Sequence, residues 1–359
     1  MRGGYLLGDL EDLEKLIAWL RHSGLRVVAY KLQGGLPILG DVDSIRDTPL
    51  GYSDVQGPGS YRLVSDRDGF FRHTQYSIKN VLHPPSQEVY RLREDFEIVQ
   101  PETLCGPMAL FGIKPCDLAS LRVLDRVLEG DDAYRARRGS VQFIVVEECV
   151  EPGDTCFCGS MRAGPAASEG YDLAYARLGD QVVFKAGSER GLSVAESLGL
   201  SPAPEHVVSR YLETMERARE KASRAPDIEK VSEALEKVMA SEELWREVSA
   251  RCVGCTNCNM ACPTCFCTEF VDHLGPSGEA IRVRQWFGCL SYTYGQVAGM
   301  HFRPELFMRY RHFVLHKFLF YQKQIGLPGC VGCGRCITWC PMGIDLREVI
   351  SRVVSHAGG

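Results

Sequence analysis

The sequence predicts an α/β N-terminal domain with a mixed, partly parallel sheet, followed by a mostly helical C-terminal domain. Three observations carry this. Strand and helix patterns alternate over residues 1–205. From residue 206 onward the apolar spacing is that of helices. Sixteen cysteines are spread over 359 residues, and eight of them stand in two short runs within residues 252–359.

In chain order, Asp9 caps a helix whose apolar residues Leu10, Leu13, Ile17 and Leu20 recur at helical spacing. Gly24 ends that helix, and RVVAYKL follows as a strand. A turn-rich stretch comes next, with GYSDVQGPGS as its clearest loop, and its short strands are not placed over residues 30–100. MALFGI then reads as a buried strand, Asp117 to Leu128 as a helix and VQFIVVEEC as a second buried strand. Strand, helix and strand at that length form a βαβ unit, which makes part of the sheet parallel. LAYARLGDQVVFKAG is a hairpin turning at Gly179-Asp180. Residues 206–251 form a helical connector. Its second helix opens at Pro226-Asp227 and carries Ile228, Val231, Leu235, Val238, Trp245 and Val248 on one face. The Glu- and Lys-rich remainder is a solvated face.

The third segment, 252–359, contains the cysteine runs. Cys252, Cys255, Cys258 and Cys262 stand at C-x2-C-x2-C-x3-C with Pro263 next, and Cys330, Cys333, Cys336 and Cys340 repeat the pattern before Pro341. This is the bacterial [4Fe–4S] run. The short intervals wrap three thiolates round one cubane, while the longer interval and the proline send the fourth cysteine to the other cluster. Two [4Fe–4S] clusters are therefore expected, held crosswise by Cys252, Cys255, Cys258 and Cys340, and by Cys330, Cys333, Cys336 and Cys262. The alternative is structural zinc, whose ligands usually come as two separated pairs around one ion. The interval between the runs is too long for a compact two-cluster ferredoxin. It contains a helical pattern from Pro304 to Ile325, with Phe307, Tyr310, Val314, Phe318, Tyr321 and Ile325 as its apolar stripe. Arg303, Arg309, Arg311, His312 and Lys317 make this stretch basic. It is expected to pack beside the clusters, and its charge can offset theirs.

Cys116 follows the strand MALFGI, Cys149 follows VQFIVVEE, and Cys156 and Cys158 lie in the loop after it. Ligand sites in open α/β sheets gather at the carboxyl ends of strands. If the two strands are parallel neighbours, these four thiols reach one edge and suffice for a third [4Fe–4S] cluster; the alternative is a set of buried structural thiols. Cys105 reads as a core or loop thiol. Cys265, Cys267 and Cys289 stay open between replacing an assigned ligand, binding a further cofactor and packing as donors near cluster sulfur.

A net charge of −5 argues against a nucleic-acid surface. No apolar run is long enough to span a membrane. The start MRGGYLLGDLEDLEK turns acidic at once, so no signal peptide is expected. Cysteines without a secretion signal point to a reducing compartment and to metal rather than disulfides. No nucleotide-binding loop and no acid–base or nucleophile constellation is present, so no catalytic residue is assigned and the chain reads as an electron carrier without a substrate site.

The segments FGIKPCDLASLRVLDRV, EPGDTCFCGSM, RCVGCTNCNMACPTCFC, VRQWFGCL, VAGMHFRP, RYRHFVLHKF and CVGCGRCITWCPMGIDL together resemble the iron–sulfur beta subunit of cytosolic nickel–iron hydrogenases of the archaeal sulfhydrogenase type. The sequence is also similar to the iron–sulfur subunit of anaerobic sulfite reductase, from the same wider family. The first hundred residues match only loosely. The resemblance implies an electron-transfer subunit of a cytoplasmic complex, with a ferredoxin-like helical C-terminal domain. It makes Cys116, Cys149, Cys156 and Cys158 family motif positions. Its implied partners are a flavin- and NAD(P)-binding subunit, together with the hydrogenase small and large subunits, or a sirohaem subunit in the sulfite reductase case.

Overall fold

The computed structural model describes residues 4–100, 106–276 and 278–358. Cys105 lies outside the described residues. The larger sheet has eight strands in the order Ser201–Pro202, Leu6–Asp9, Gln181–Ala186, Leu173–Leu178, Val141–Glu147, Met108–Ile113, Arg26–Gln33 and Leu36–Asp41. The four strands from Leu173–Leu178 to Arg26–Gln33 run parallel. The flanking pairs, including the hairpin across Gly179-Asp180, are antiparallel. Met108–Ile113 and Val141–Glu147 are direct parallel neighbours, with Ala109 opposite Phe143 and Leu110 opposite Ile144.

The sheet is apolar on both faces because helices cover both. Ala109, Phe111, Phe143 and Val145 pack with Leu13, Leu16, Ile17 and Leu20 of the helix Leu10–His22. Leu110, Ile144 and Val146 pack on the other face with Leu118, Leu121 and Leu124 of the helix Pro115–Val127. Asp9 caps the first helix through the amides of Glu11 and Asp12. The second begins two residues before the expected Asp117, with Pro115 in its opening turn. Proline is tolerated there because its missing N–H has no helical partner in any case. Cys116 is therefore a first-turn helical residue.

The connector differs from its expected form. After the helix Glu205–Lys221, the face from Ile228 to Val248 is divided between Ile228–Val238 and Glu242–Ser249. The fully buried Trp245 folds back and donates its indole N–H to the carbonyls of Val238 and Met239 at 3.2 Å each, which satisfies the end of the preceding helix. The stretch expected to be one helix from Pro304 is a helix Leu306–Leu315, a π turn His316–Phe320 and a helix Tyr321–Ile325.

Residues 30–100 contain the hairpin Tyr52–Gly57/Ser60–Ser65 and the strand Ser86–Leu92. The latter pairs with Ala280–Trp286, whose hairpin partner is Thr268–Leu274. The second, four-stranded sheet is thus built from both halves of the chain. Among the described residues, no helix is long and apolar enough to cross a membrane.

Candidate metal centres

The two cysteine runs adopt matching backbones. Each reads Cys-Val-Gly-Cys, and Gly254 and Gly332 both take positive φ, +69° and +63°. In each, the glycine N–H donates to the sulfur of the run's first cysteine at 3.4 Å. Thr256 and Gly334, each one residue after the second cysteine, are left-handed as well. These turns curl the loops so that successive thiols face inward, as a cubane demands.

Cys252, Cys255, Cys258, Cys336 and Cys340 line one cavity with Leu290, Tyr310 and Phe313. Cys262 keeps company with the other run: the sulfurs of Cys330, Cys333 and Cys336 all lie in its electrostatic neighbourhood. Cys340 thus lies with the first three cysteines of the first run, together with Cys336, and Cys262 lies near those of the second. Burial differs between the groups. Cys255 is exposed and Cys252 half-buried, whereas Cys262, Cys330 and Cys333 are buried.

Cys116, Cys149, Cys156 and Cys158 come together at the carboxyl edge of the sheet. All four line one cavity with Arg72, His73, Lys114 and Pro165, and Cys333 forms part of its wall. The tight Cys156-Phe157-Cys158 spacing works because Phe157 is fully buried in the C-terminal core while both flanking cysteines line the cavity. Burial pushes the Cys149 thiol up to about 11 and Cys156 up to about 12, so without a metal they are protonated. Ligation must displace those protons.

The Cys156–Cys158 loop is pressed against the second run. Phe157 N–H donates to Gly332 O at 2.8 Å. A Cβ on Gly332 would come within 2.5 Å of Phe157 O, and one on Gly334 within 2.5 Å of Thr155 O. His73 contacts the Cys333 carbonyl at 2.7 Å. A buried ion pair joins the same two regions. Arg335, 0% exposed, places Nη2 3.0 Å from Asp117, 1% exposed, and also donates to Tyr30 Oη at 2.8 Å and Thr74 O at 2.8 Å. Its Nη1 has no hydrogen-bond partner. Periodicity does not find this pair, since its members are 218 residues apart.

In each run the first three thiols come from one short loop, the donor arrangement of a cubane, whereas structural zinc usually draws two separated pairs.

Cys265, Cys267 and Cys289, whose roles the spacing leaves open, line a further cavity together with Asn259, His316 and Lys317. Within the basic stretch, Lys317 is buried beside Cys262, Cys265 and Cys330, and Arg309 is buried near Cys252 while donating to the carbonyls of Leu290, Arg303 and Pro304.

Comparison with known proteins agrees with this geometry. The 4Fe-4S dicluster domain family matches residues 251–344. No solved structure is detectably similar to the chain. The sulfhydrogenase 2 subunit beta of Pyrococcus furiosus is 32% identical over 318 residues, covering 87% of each chain. With two matched cysteine runs and a relative of that extent, this chain is an iron–sulfur electron-transfer protein and belongs to the sulfhydrogenase beta-subunit family.

Proposed function

We propose that this chain is the electron-relay subunit of a cytoplasmic nickel–iron hydrogenase complex, standing between the hydrogenase small and large subunits on one side and a flavin- and NAD(P)-binding subunit on the other. Three [4Fe–4S] clusters would be held by Cys116, Cys149, Cys156 and Cys158; by Cys330, Cys333, Cys336 and Cys262; and by Cys252, Cys255, Cys258 and Cys340. When bound, such clusters supply one-electron carriers whose potentials follow charge, hydrogen bonding and exposure.

The observation that carries this is the position of Cys333. It belongs to the second run and also walls the N-terminal cavity, while Cys336 walls the cavity of the first run. The three groups therefore form a file from a buried end at Cys149 to an exposed end at Cys255. The residues around the file exclude water and supply charge. Arg72, Lys114 and Arg335 border the buried end, paired respectively with Asp54, Glu147 and Asp117.

Two measurements test this. A Cys156→Ser, Cys158→Ser variant should lose about four irons per chain and keep the signals of the other clusters; full retention would remove the N-terminal site. Separately, the purified chain should not turn over hydrogen alone, and its clusters should be reduced by a nicotinamide only when the flavin subunit is added. Turnover by the isolated chain, or no electron exchange with either partner, would overturn the relay role.

A further inference from the structure

The cavity of Cys265, Cys267 and Cys289 is not accounted for by the relay. Asn259, 2% exposed, donates its side-chain amide to Cys289 Sγ at 3.3 Å and to Cys265 Sγ at 3.6 Å. One amide thus holds two thiols on the same side of the cavity, and its Oδ1 has no partner. The cavity also receives the π turn His316–Phe320, which presents His316 and Lys317 to it. Single π turns inside helices recur at functional sites because they re-aim side chains at the cost of helix geometry.

The charges around the cavity point the same way. Lys317 is 3% exposed, and its ammonium contacts only neutral oxygens, Thr264 Oγ1 at 3.2 Å and Gly329 O at 3.3 Å. Lys79 is 1% exposed; it contacts the carbonyls of Asn259 and Met260 at 3.4 and 3.2 Å and sits 3.6 Å over the Trp286 ring. Neither ammonium is ion-paired to a carboxylate among the described residues. A buried cation without a counter-charge is costly. The groups beside both that become anionic on ligating a metal are the cysteines: Cys265, Cys262 and Cys267 beside Lys79, and Cys262 and Cys265 beside Lys317. Two buried ammoniums beside a cage of thiols specify a site for a negatively charged group. A cluster ligated by thiolates is such a group.

We propose that Cys265, Cys267 and Cys289 hold a further [4Fe–4S] cluster, with His316 as its remaining protein ligand. Thr264 lies between Cys262 and Cys265 in sequence, contacts Cys262 Sγ at 3.1 Å and accepts from Lys317 at 3.2 Å, so the site abuts the Cys330–Cys333–Cys336–Cys262 group. The relay then has a branch as well as a file. Lys317 is a neighbour of both, near Cys262 and Cys330 as well as Cys265.

The test uses the full-length chain, purified anaerobically and reconstituted with iron and sulfide. About sixteen irons per chain are expected with this site filled beside the other three, against about twelve without it. A Cys265→Ser, Cys267→Ser variant should lose about four irons, and so should Cys289→Ser. Cys156→Ser, Cys158→Ser removes a different four, so failure of the N-terminal site is told apart from failure of this one. His316→Cys should keep the iron count, abolish the nitrogen hyperfine coupling of a reduced cluster and lower one midpoint, because imidazole ligation raises potential relative to thiolate. If the Cys265/Cys267 variant keeps every iron, these thiols carry no cluster. If that variant does not fold, the wild-type protein decides. Imidazole coupling or about sixteen irons supports the site, whereas about twelve or fewer without coupling overturns it. Sixteen irons without coupling keeps the cluster and removes His316 as ligand.

Discussion

Replacing Arg335 with glutamine tests how the N-terminal and C-terminal centres are joined. The guanidinium is fully buried, and its removal leaves the Asp117 carboxylate, 1% exposed, without its cation and Thr74 O without a donor. Breaking a buried pair from one side costs about 3–5 kcal/mol, most of it the uncompensated charge left behind. Asp117→Asn added to Arg335→Gln removes that charge and should recover about half of the loss. The same substitutions move a potential. Reduction adds a negative charge to a cluster, so losing the cation while keeping the carboxylate makes electron uptake harder. At an effective dielectric near 20, a unit charge several ångströms away shifts a one-electron midpoint by on the order of 100 mV. Arg335→Gln should therefore lower one midpoint, and the double variant, whose net local charge equals that of the wild type, should return to within about 30 mV. Anaerobic redox titration followed by electron paramagnetic resonance reads the midpoints, and thermal inactivation half-lives read the stability. A midpoint unchanged or raised in Arg335→Gln, or a double variant as low as the single, would refute the electrostatic link.

Other outcomes rest on the same geometry. Gly334→Ala puts a methyl group within 2.5 Å of Thr155 O at a φ of +78°; it should loosen the Cys156–Cys158 loop and lower iron retention at the N-terminal site before the C-terminal signals change. Cys262→Ser should perturb the cluster of Cys330, Cys333 and Cys336, and Cys340→Ser that of Cys252, Cys255 and Cys258, which site-resolved Mössbauer or resonance spectra of the two variants can compare; the reverse pairing would refute the crossed arrangement. Trp245→Ala removes a fully buried indole and its two hydrogen bonds to the preceding helix, at a cost of about 3–5 kcal/mol, read as a lower midpoint of denaturant unfolding in the apo chain against apo wild type.

The cysteine runs are legible in the chain because a cubane imposes its own spacing on a local loop. The grouping of Cys116, Cys149, Cys156 and Cys158 is legible because parallel strands deliver the residues after them to one edge. The division of the connector at Met239 is not, since Ile228, Val231, Leu235, Val238, Trp245 and Val248 keep one helical phase across the break, and only Ser241 before Glu242 and Glu243 marks a new start. The π turn is hidden for a similar reason: one widened turn leaves the apolar stripe from Phe307 to Tyr321 almost in phase. Contacts between residues far apart in sequence leave no periodic trace at all. Arg335 finding Asp117, Asn259 gathering Cys265 and Cys289, and Ser86–Leu92 finding Ala280–Trp286 are tertiary facts.

The four-stranded sheet shared between the two halves bears on how this protein can be handled and how it is made. Its strand Ala280–Trp286 is central, bonded to Thr268–Leu274 on one side and to Ser86–Leu92 on the other. A fragment beginning at residue 252 would carry both cysteine runs and yet bare one whole side of that strand, an open edge that invites pairing with a second molecule. During synthesis the complementary hazard arises: Ser86–Leu92 meets the two-residue strand Ile98–Val99 at once but waits for nearly two hundred residues before its longer partner Ala280–Trp286 exists. An exposed strand edge of this kind favours aggregation of excised cluster fragments and of nascent chains until the pairing forms.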